Sequence, residues 1–277
     1  MSQTNSTAIN TLPNNNMFVE QSTSRNLSNR DIFSINNAFN NVKSELSQLS
    51  MDLFFLLVTQ VTKEDVELFM YETSMSEIQK IFNRRITQNN IQNATQELLH
   101  CKIEFSIDDE TITTTLLSIF EYDSGTIHFK LNDTLVDILI NQKTKYTVAS
   151  LQELISIKSV YAKRIYLLLK QFATSKEFVM HLSHIYKILN LENKYERYSH
   201  FKNKILNPAI KSINEQTSLK ISIHEHLKNR TVQRIKFNIN SPLKQVKAPK
   251  SKKNSRSDFD SLMDWVHQEP FIDTEVA

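Results

Sequence analysis

The chain has 277 residues, 40% of them hydrophobic and 23% charged, with a formal net charge of +3; that is room for about two domains and excludes disorder throughout. One cysteine, Cys101, excludes an internal disulfide framework, and one glycine, Gly125, excludes the phosphate-cradling loops that need two or three glycines at fixed spacing. The longest apolar run, 53–58, is far short of the roughly 20 residues that cross a bilayer, and residues 1–20 lack the basic and apolar regions of an export signal, so a cytoplasmic protein with no membrane partner is expected.

Residues 1–24 are rich in Asn, Ser and Thr and are expected to be a disordered leader. Leu27, Ile32, Ile35, Ala38, Phe39, Val42, Leu46 and Leu49 recur at three and four residues, which predicts a long or broken helix. Ser50 is placed to cap a second helix over 51–62, apolar nearly all round and therefore central to a core. After a short strand at 66–71, Ser74 and Glu77 form a capping box for a helix over 75–82. Thr87 then caps another over 88–100, with Ile91, Ala94, Leu98 and Leu99 on one side. Strand-like runs follow at 101–107, 111–122 and 125–131, joined through Asp108-Asp109-Glu110 and through the turn Asp123-Ser124-Gly125. Two short helices around a tight turn, followed by a hairpin, make a winged helix. Residues 135–140 and a linker near 141–146 close this half.

The second half repeats the order. Helices are predicted over 151–155 and 160–172, the latter burying Ile165, Leu168, Leu169 and Phe172; a strand spans 178–182, and Ser183 is placed to cap a helix over 184–189. Asn190 sits where a helix reverses into a left-handed residue. A long helix over 198–214 has Phe201, Ile205, Ala209 and Ile213 spaced by fours, with Pro208 inside it to kink or divide it. Runs at 219–224 and 231–239 form a hairpin around Lys228-Asn229-Arg230. The expected fold is therefore α+β, two tandem winged-helix domains: leader 1–24, first domain 25–146, second domain 147–243 and tail 244–277.

Charge divides along the same line. Residues 25–149 carry 11 basic and 17 acidic side chains, whereas 150–243 carry 16 basic and 6 acidic. The tail is basic over 244–256 and acidic over 257–277, where Trp265 has Leu262, Met263, Val266 and Phe271 around it. A basic domain beside an acidic one reads as a polyanion-binding module joined to a partner-binding or self-associating one. On the long helix, the face opposite the apolar stripe carries Lys202, Asn203, Lys204, Asn207 and Lys211. Asparagine pairs with adenine edges, and lysine with guanine acceptors or phosphate. The hairpin adds Lys228 and Arg230 at its tip, with Arg234 and Lys236 on the returning strand, placed to lie along a DNA backbone. In the first domain the corresponding candidates are Arg84, Arg85, Gln92 and Asn93.

The stretch Ser159-Val160-Tyr161-Ala162-Lys163-Arg164-Ile165-Tyr166-Leu167-Leu168-Leu169-Lys170-Gln171, together with Phe201 to Thr217 and its Leu-Asn-Pro-Ala and Ile-Asn landmarks, resembles the plasmid replication initiators of the RepB and RepE type. The resemblance covers roughly residues 26–239. It implies two winged helices that bind double-stranded iteron repeats, recruit a host initiator and the replicative helicase, and exist as a homodimer in equilibrium with monomer, the dimer repressing its own promoter at an operator inverted repeat. It also implies a bacterial, plasmid-associated protein. Leu167 stands where the family usually has Glu, Asn203 and Lys204 where Arg is frequent, and Asn190 and Asn229 where Gly is usual; at Asn203 the resemblance therefore implies a DNA-binding role but no particular base.

No catalytic residue, metal or cofactor is expected. A rolling-circle nickase needs two metal-binding histidines around an apolar residue and a tyrosine nucleophile, but His224-Glu225-His226 has Glu in the middle and no tyrosine after it. The alternative of a different class is a winged-helix transcriptional repressor without a direct role in replication.

Overall fold

The computed structural model describes residues 24–240 except 38, 40–45, 63, 108–109, 124 and 141–145. Residues 1–23 of the leader, most of the 141–146 linker, Ser124 of the first hairpin turn, Asp108-Asp109, and the tail 244–277 therefore lie outside the described residues.

Strands β1 (Arg25–Asn26) and β2 (Ile32–Asn36) open the described chain, followed by helix α1 (Gln48–Val58). Strand β3 (Met70–Ser74), helix α2 (Met75–Phe82) and helix α3 (Gln88–His100) come next. The hairpin β4 (Ile103–Ile107) and β5 (Glu110–Thr114) precedes β6 (Leu117–Asp123) and β7 (Thr126–Leu131). A 3-10 turn at Asp133–Leu135 and the short helix α4 (Val136–Leu139) lead to β8 (Tyr146–Ser150). Sheet order β1-β3-β7-β6 puts the strand before the helix pair beside the returning strand of the β6–β7 hairpin, the arrangement of a winged helix.

The second set runs α5 (Leu151–Ser156), α6 (Val160–Lys170), β9 (Glu177–His181) and α7 (Leu182–Ile188). It continues through α8 (Tyr198–Phe201), a π-helical turn at Lys202–Leu206, α9 (Asn207–Gln216), β10 (Lys220–Lys228) and β11 (Thr231–Asn240). Sheet order β10-β11-β9 repeats that of β6-β7-β3. The protein thus has two winged helices on one α+β plan, the first enlarged by the β4–β5 hairpin and by β1. Both belong to one compact unit.

Local signals set several boundaries. Ser74 accepts from Glu77 N–H while Glu77 reaches back, and Thr87 does the same with Asn90, so α2 and α3 both begin with a reciprocal cap. Asn83 is left-handed at φ 46, and the Asn83 and Arg84 amides return to the Lys80 and Gln79 carbonyls, closing α2 tightly. Asn190 is left-handed too, at φ 54.

Several expectations change, beginning with α1, which is capped by Ser47 rather than Ser50 and ends at Val58. The helical spacing read through Ile32 and Ile35 belongs to a strand: Phe33 and Ile35 alternate inward because β2 pairs antiparallel with β8, Ile32 opposite Ser150 and Asn36 opposite Tyr146. A partner more than a hundred residues away overrides a local period of three and four; Ala38 and Val42 of that stripe lie outside the described residues. The run over 111–122 breaks at Thr115–Leu116 into β5 and β6, and the strand expected at 66–71 forms at Met70–Ser74. Helix α7 starts at Leu182, with His181 rather than Ser183 at its N-cap. Finally, Pro208 neither breaks nor sharply ends the long helix; the turn ahead of it widens.

That widening has a direct cause. Pro208 has no N–H to donate to the carbonyl four residues back, and upstream of it the Asn207 amide donates five residues back, to Lys202. The extra residue advances the buried stripe by one. Phe201, Leu206, Ala209, Ile210 and Ile213 are buried, while Ile205, expected in the stripe, is only half-buried.

Candidate nucleic-acid interface

The π-helical turn and α9 present a polar face whose register the bulge determines. Asn203, Lys204, Asn207 and Lys211 are all exposed, and the side chains of Asn203, Lys204 and Asn207 make no hydrogen bond to another described residue. Lys211 is 3.9 Å from Glu215 one turn on, an exposed pair worth little. Lys202 stands apart from them: it is half-buried and its ammonium lies 2.6 Å from Glu225 on β10. Tyr198 also donates to Glu225, at 2.7 Å. The hydrogen bond from Lys202 holds the Glu225 carboxyl below its ordinary value, with Tyr198 adding to the effect. Glu225 therefore fastens the start of the helix to the hairpin, so that helix and wing are held as one piece.

The wing is the β10–β11 hairpin. Its tip turns through Asn229 and Arg230 at φ 51 and 64, both left-handed, the two-residue turn whose twist matches the flanking strands. A bulge between His226 and Leu227 adds local twist below the tip. Lys228, Asn229 and Arg230 are exposed. On the sheet, Ile235, Phe237 and Ile239 point inward, leaving Arg234 and Lys236 on the outer face. Arg234 pairs across with His226 on one side and His181 on the other, and its Nε donates to His181 at 3.0 Å. Lys236 is 2.9 Å from Glu177. The row of exposed His226 and Arg234 with half-buried His181 was missed by sequence reasoning, because which residues share a row depends on register across three strands.

In the first winged helix, the exposed face of α3 carries Gln92 and Asn93 beside Gln88, Asn89 and Gln96, and α3 contains no lysine or arginine at all. Arg85 is exposed at the turn before it. Arg84 is not free in the same way: its Nη2 lies 2.8 Å from Asp52 Oδ2, with 24% of its side chain exposed. Asp52, on α1, is fully buried, and its other oxygen receives the ammonium of Lys163, also fully buried, on α6. Sequence reasoning missed this cluster, although an acidic residue inside an apolar helix demands a buried partner.

The twelve expected contacts therefore fall into three sets. Asn203, Lys204, Asn207 and Lys211 share one helical face beside the wing pair Lys228 and Arg230. Arg85, Gln92 and Asn93 lie on the other winged helix. Lys202, Arg234 and Arg84 are each held at hydrogen-bonding distance by a partner within the protein.

Comparison with known proteins bears on what such a pair of winged helices is. The model of the initiator replication protein first winged-helix domain matches residues 32–170, and that of the initiator Rep protein second winged-helix domain matches residues 182–239. The chain belongs to the plasmid replication-initiator family. Among solved structures, the initiator is similar to the Pi initiator protein, crystallised in complex with iteron DNA. The TM-score is 0.67 at 17% identity, over 77% of this chain and 98% of that one. It also matches domains 2 and 3 of RctB, at TM-score 0.45 and 10% identity over 73% and 86% of the two chains. No curated protein sequence matches it. Among the initiator's described residues, no helix is long and apolar enough to cross a membrane and no group of three His, Cys, Asp or Glu is placed to hold a metal ion.

Proposed function

We propose that this initiator binds iteron repeats at a replication origin through both winged helices, the second supplying most of the affinity. The observation that carries the reading is the exposed face Asn203, Lys204, Asn207 and Lys211, in a half of the chain with 16 basic and 6 acidic residues and beside a wing tipped by Lys228 and Arg230. Asn203 and Asn207 are the residues for base edges in the major groove. Lys204, Lys211, Lys228 and Arg230 neutralise phosphates, with Arg234 and Lys202 at the margin. Arg85, Gln92 and Asn93 make the first domain's contacts, while Arg84 holds the interior.

Membership of the initiator family supports origin opening and recruitment of a host initiator and replicative helicase as the next steps. A homodimer that represses its own promoter at an inverted repeat is supported by the outer face of the β2–β8 ribbon. There Ile32, Val148 and Tyr146 remain 59%, 48% and 39% exposed, an apolar stripe of the kind that a second copy covers.

Fluorescence anisotropy tests the reading with the purified chain, the repeats beside its own gene and scrambled DNA, over a salt series. Repeat-selective binding with a steep loss of affinity as salt rises is the expected result. Equal, weak binding to both DNAs would overturn it.

A further inference from the structure

Asp52 ties the turn before α3 to α6, the helix that packs on α9 of the second winged helix, through one carboxylate. Its Oδ2 takes Arg84, from the turn that leads into α3, and its Oδ1 takes Lys163, from the helix α6 that packs on α9. Lys163 also donates to the Leu154 carbonyl at 2.7 Å, so its ammonium is fixed in direction as well as in charge. Gln48, with its amide oriented to satisfy both neighbours, accepts from Arg84 Nη1 at 2.8 Å and donates to the Lys158 carbonyl at 2.8 Å. A second bridge thus runs from Arg84 to the segment that leads into α6. The next residue on α6, Arg164, is buried as well, and burial pulls its guanidinium down to about 10.

Apolar packing alone is non-directional and leaves a helix free to settle in neighbouring orientations. A buried ion pair is costly to desolvate and gives little net stability, but it is satisfied in one geometry only. The path from α3 through Arg84, Asp52 and Lys163 to α6 and α9 links the two candidate reading helices through directional interactions. None of these three side chains lies among the exposed groups that would meet DNA.

We propose that Lys163 is a positioning residue: its buried pairing with Asp52 fixes the orientation of the second winged helix relative to the first, and with it the spacing between DNA segments that the protein accepts. The inference rests on the reading that both domains contact one duplex.

The test uses the full chain with Lys163→Met, which leaves the Asp52–Arg84 pair inside the first half. A second variant, Asp52→Asn with Lys163→Met, removes both buried charges in case the single change does not fold. Circular dichroism and thermal melting establish folding. Anisotropy is then read on the native repeat and on repeats carrying one to five inserted base pairs between the segments that each domain protects. Five base pairs turn the second segment to the opposite side of the duplex. The wild-type chain is expected to lose about 30-fold or more on that insertion, a loss comparable to that of one domain's specific binding. The folded variant is expected to bind the native repeat more weakly and to lose less than about 5-fold on insertion. A folded variant that keeps the wild-type insertion penalty overturns the positioning role and leaves the two-domain reading intact. A wild-type chain indifferent to insertion overturns the two-domain reading itself.

Discussion

The two winged helices share an order of elements and a sheet topology, yet they offer DNA different chemistry. The exposed face of α3 is made of amides and contains no cation, whereas the π-turn and α9 interleave asparagines with Lys204 and Lys211. The first wing joins β6 to β7 in a segment containing Glu121 and Asp123, and the second is tipped by Lys228 and Arg230. The fold therefore builds the helix pair and its wing twice, and in the proposed reading charge decides which copy holds the backbone. Amides discriminate bases but contribute little long-range attraction. On that reading, the half with 11 basic and 17 acidic residues is brought to DNA by the half with 16 basic and 6 acidic.

The largest expected effect breaks this asymmetry at its cationic end. Lys204→Ala with Lys211→Ala should weaken repeat binding about 100-fold near 0.1 M salt, and the slope of log affinity against log salt should fall by about 0.9 for each phosphate that is no longer neutralised. The matching change on α3, Gln92→Ala with Asn93→Ala, should cost less than about 10-fold and leave the salt slope unchanged, because no charge is removed. Anisotropy over a salt series measures both. Equal losses and equal slopes for the two pairs would sink the division of labour.

The second effect concerns what keeps the cationic half folded. Glu153 on α5 accepts from Tyr166 at 2.6 Å, from the Ser218 amide at 2.7 Å and from Lys170 at 3.4 Å, tying α5 and α6 to the segment after α9. Burial pushes its carboxyl up, but the hydrogen bonds from Ser218 and Tyr166 and the Lys170 charge outweigh that and leave it below the ordinary value of 4.5. A carboxylate depressed in the folded state contributes stability that is fully present above about 4.5 and is lost as pH falls through the folded value. Glu153→Gln should cost about 2 kcal/mol near pH 7. The gap between wild type and variant, followed by denaturant melts, should hold constant down to about pH 5 and narrow below it. A gap independent of pH down to about 3 would show that the charge is not what matters.

A smaller effect separates the halves by their caps. Helices α2 and α3 each begin with a reciprocal cap, while α7 and α8 have no side-chain cap. Thr87→Ala should lower stability by about 1 kcal/mol, read as a drop of a few degrees in Tm.

Those caps also show why some of the fold was legible in the sequence. The bounds of α2 and α3 follow from Ser74, Glu77, Thr87 and Asn83, all within four residues of what they terminate. Most of the polar face of the long helix was legible too, since Asn203, Lys204, Asn207 and Lys211 follow its period, whereas Lys202, expected on the same face, is half-buried against Glu225. What was not legible depends on distant partners. Strand β2 is a strand because β8 lies beside it, Lys163 is buried because Asp52 awaits it, and Arg84 points inward for the same reason. The π-turn lies between these cases: Pro208 announces a disturbance, but only packing against the core decides that it widens the helix instead of bending it.

The smallest effect lies in the turns of the two wings. The chain's single glycine, Gly125, sits in the acidic wing at φ 90, where glycine carries no steric penalty. The basic wing turns through two left-handed residues with side chains, and Arg230 at φ 64 costs about 1 kcal/mol relative to glycine. Strain of this size persists where a side chain is needed for something other than stability. Arg230→Gly should therefore raise stability by about 1 kcal/mol, while lowering repeat affinity less than about 10-fold and reducing the salt slope by about 0.9. Gain and loss come from one substitution, in opposite directions. A variant that is more stable and binds the repeat as well as wild type, with the same salt slope, would mean that the wing tip does not touch phosphate and that the cationic half grips DNA through its helix alone.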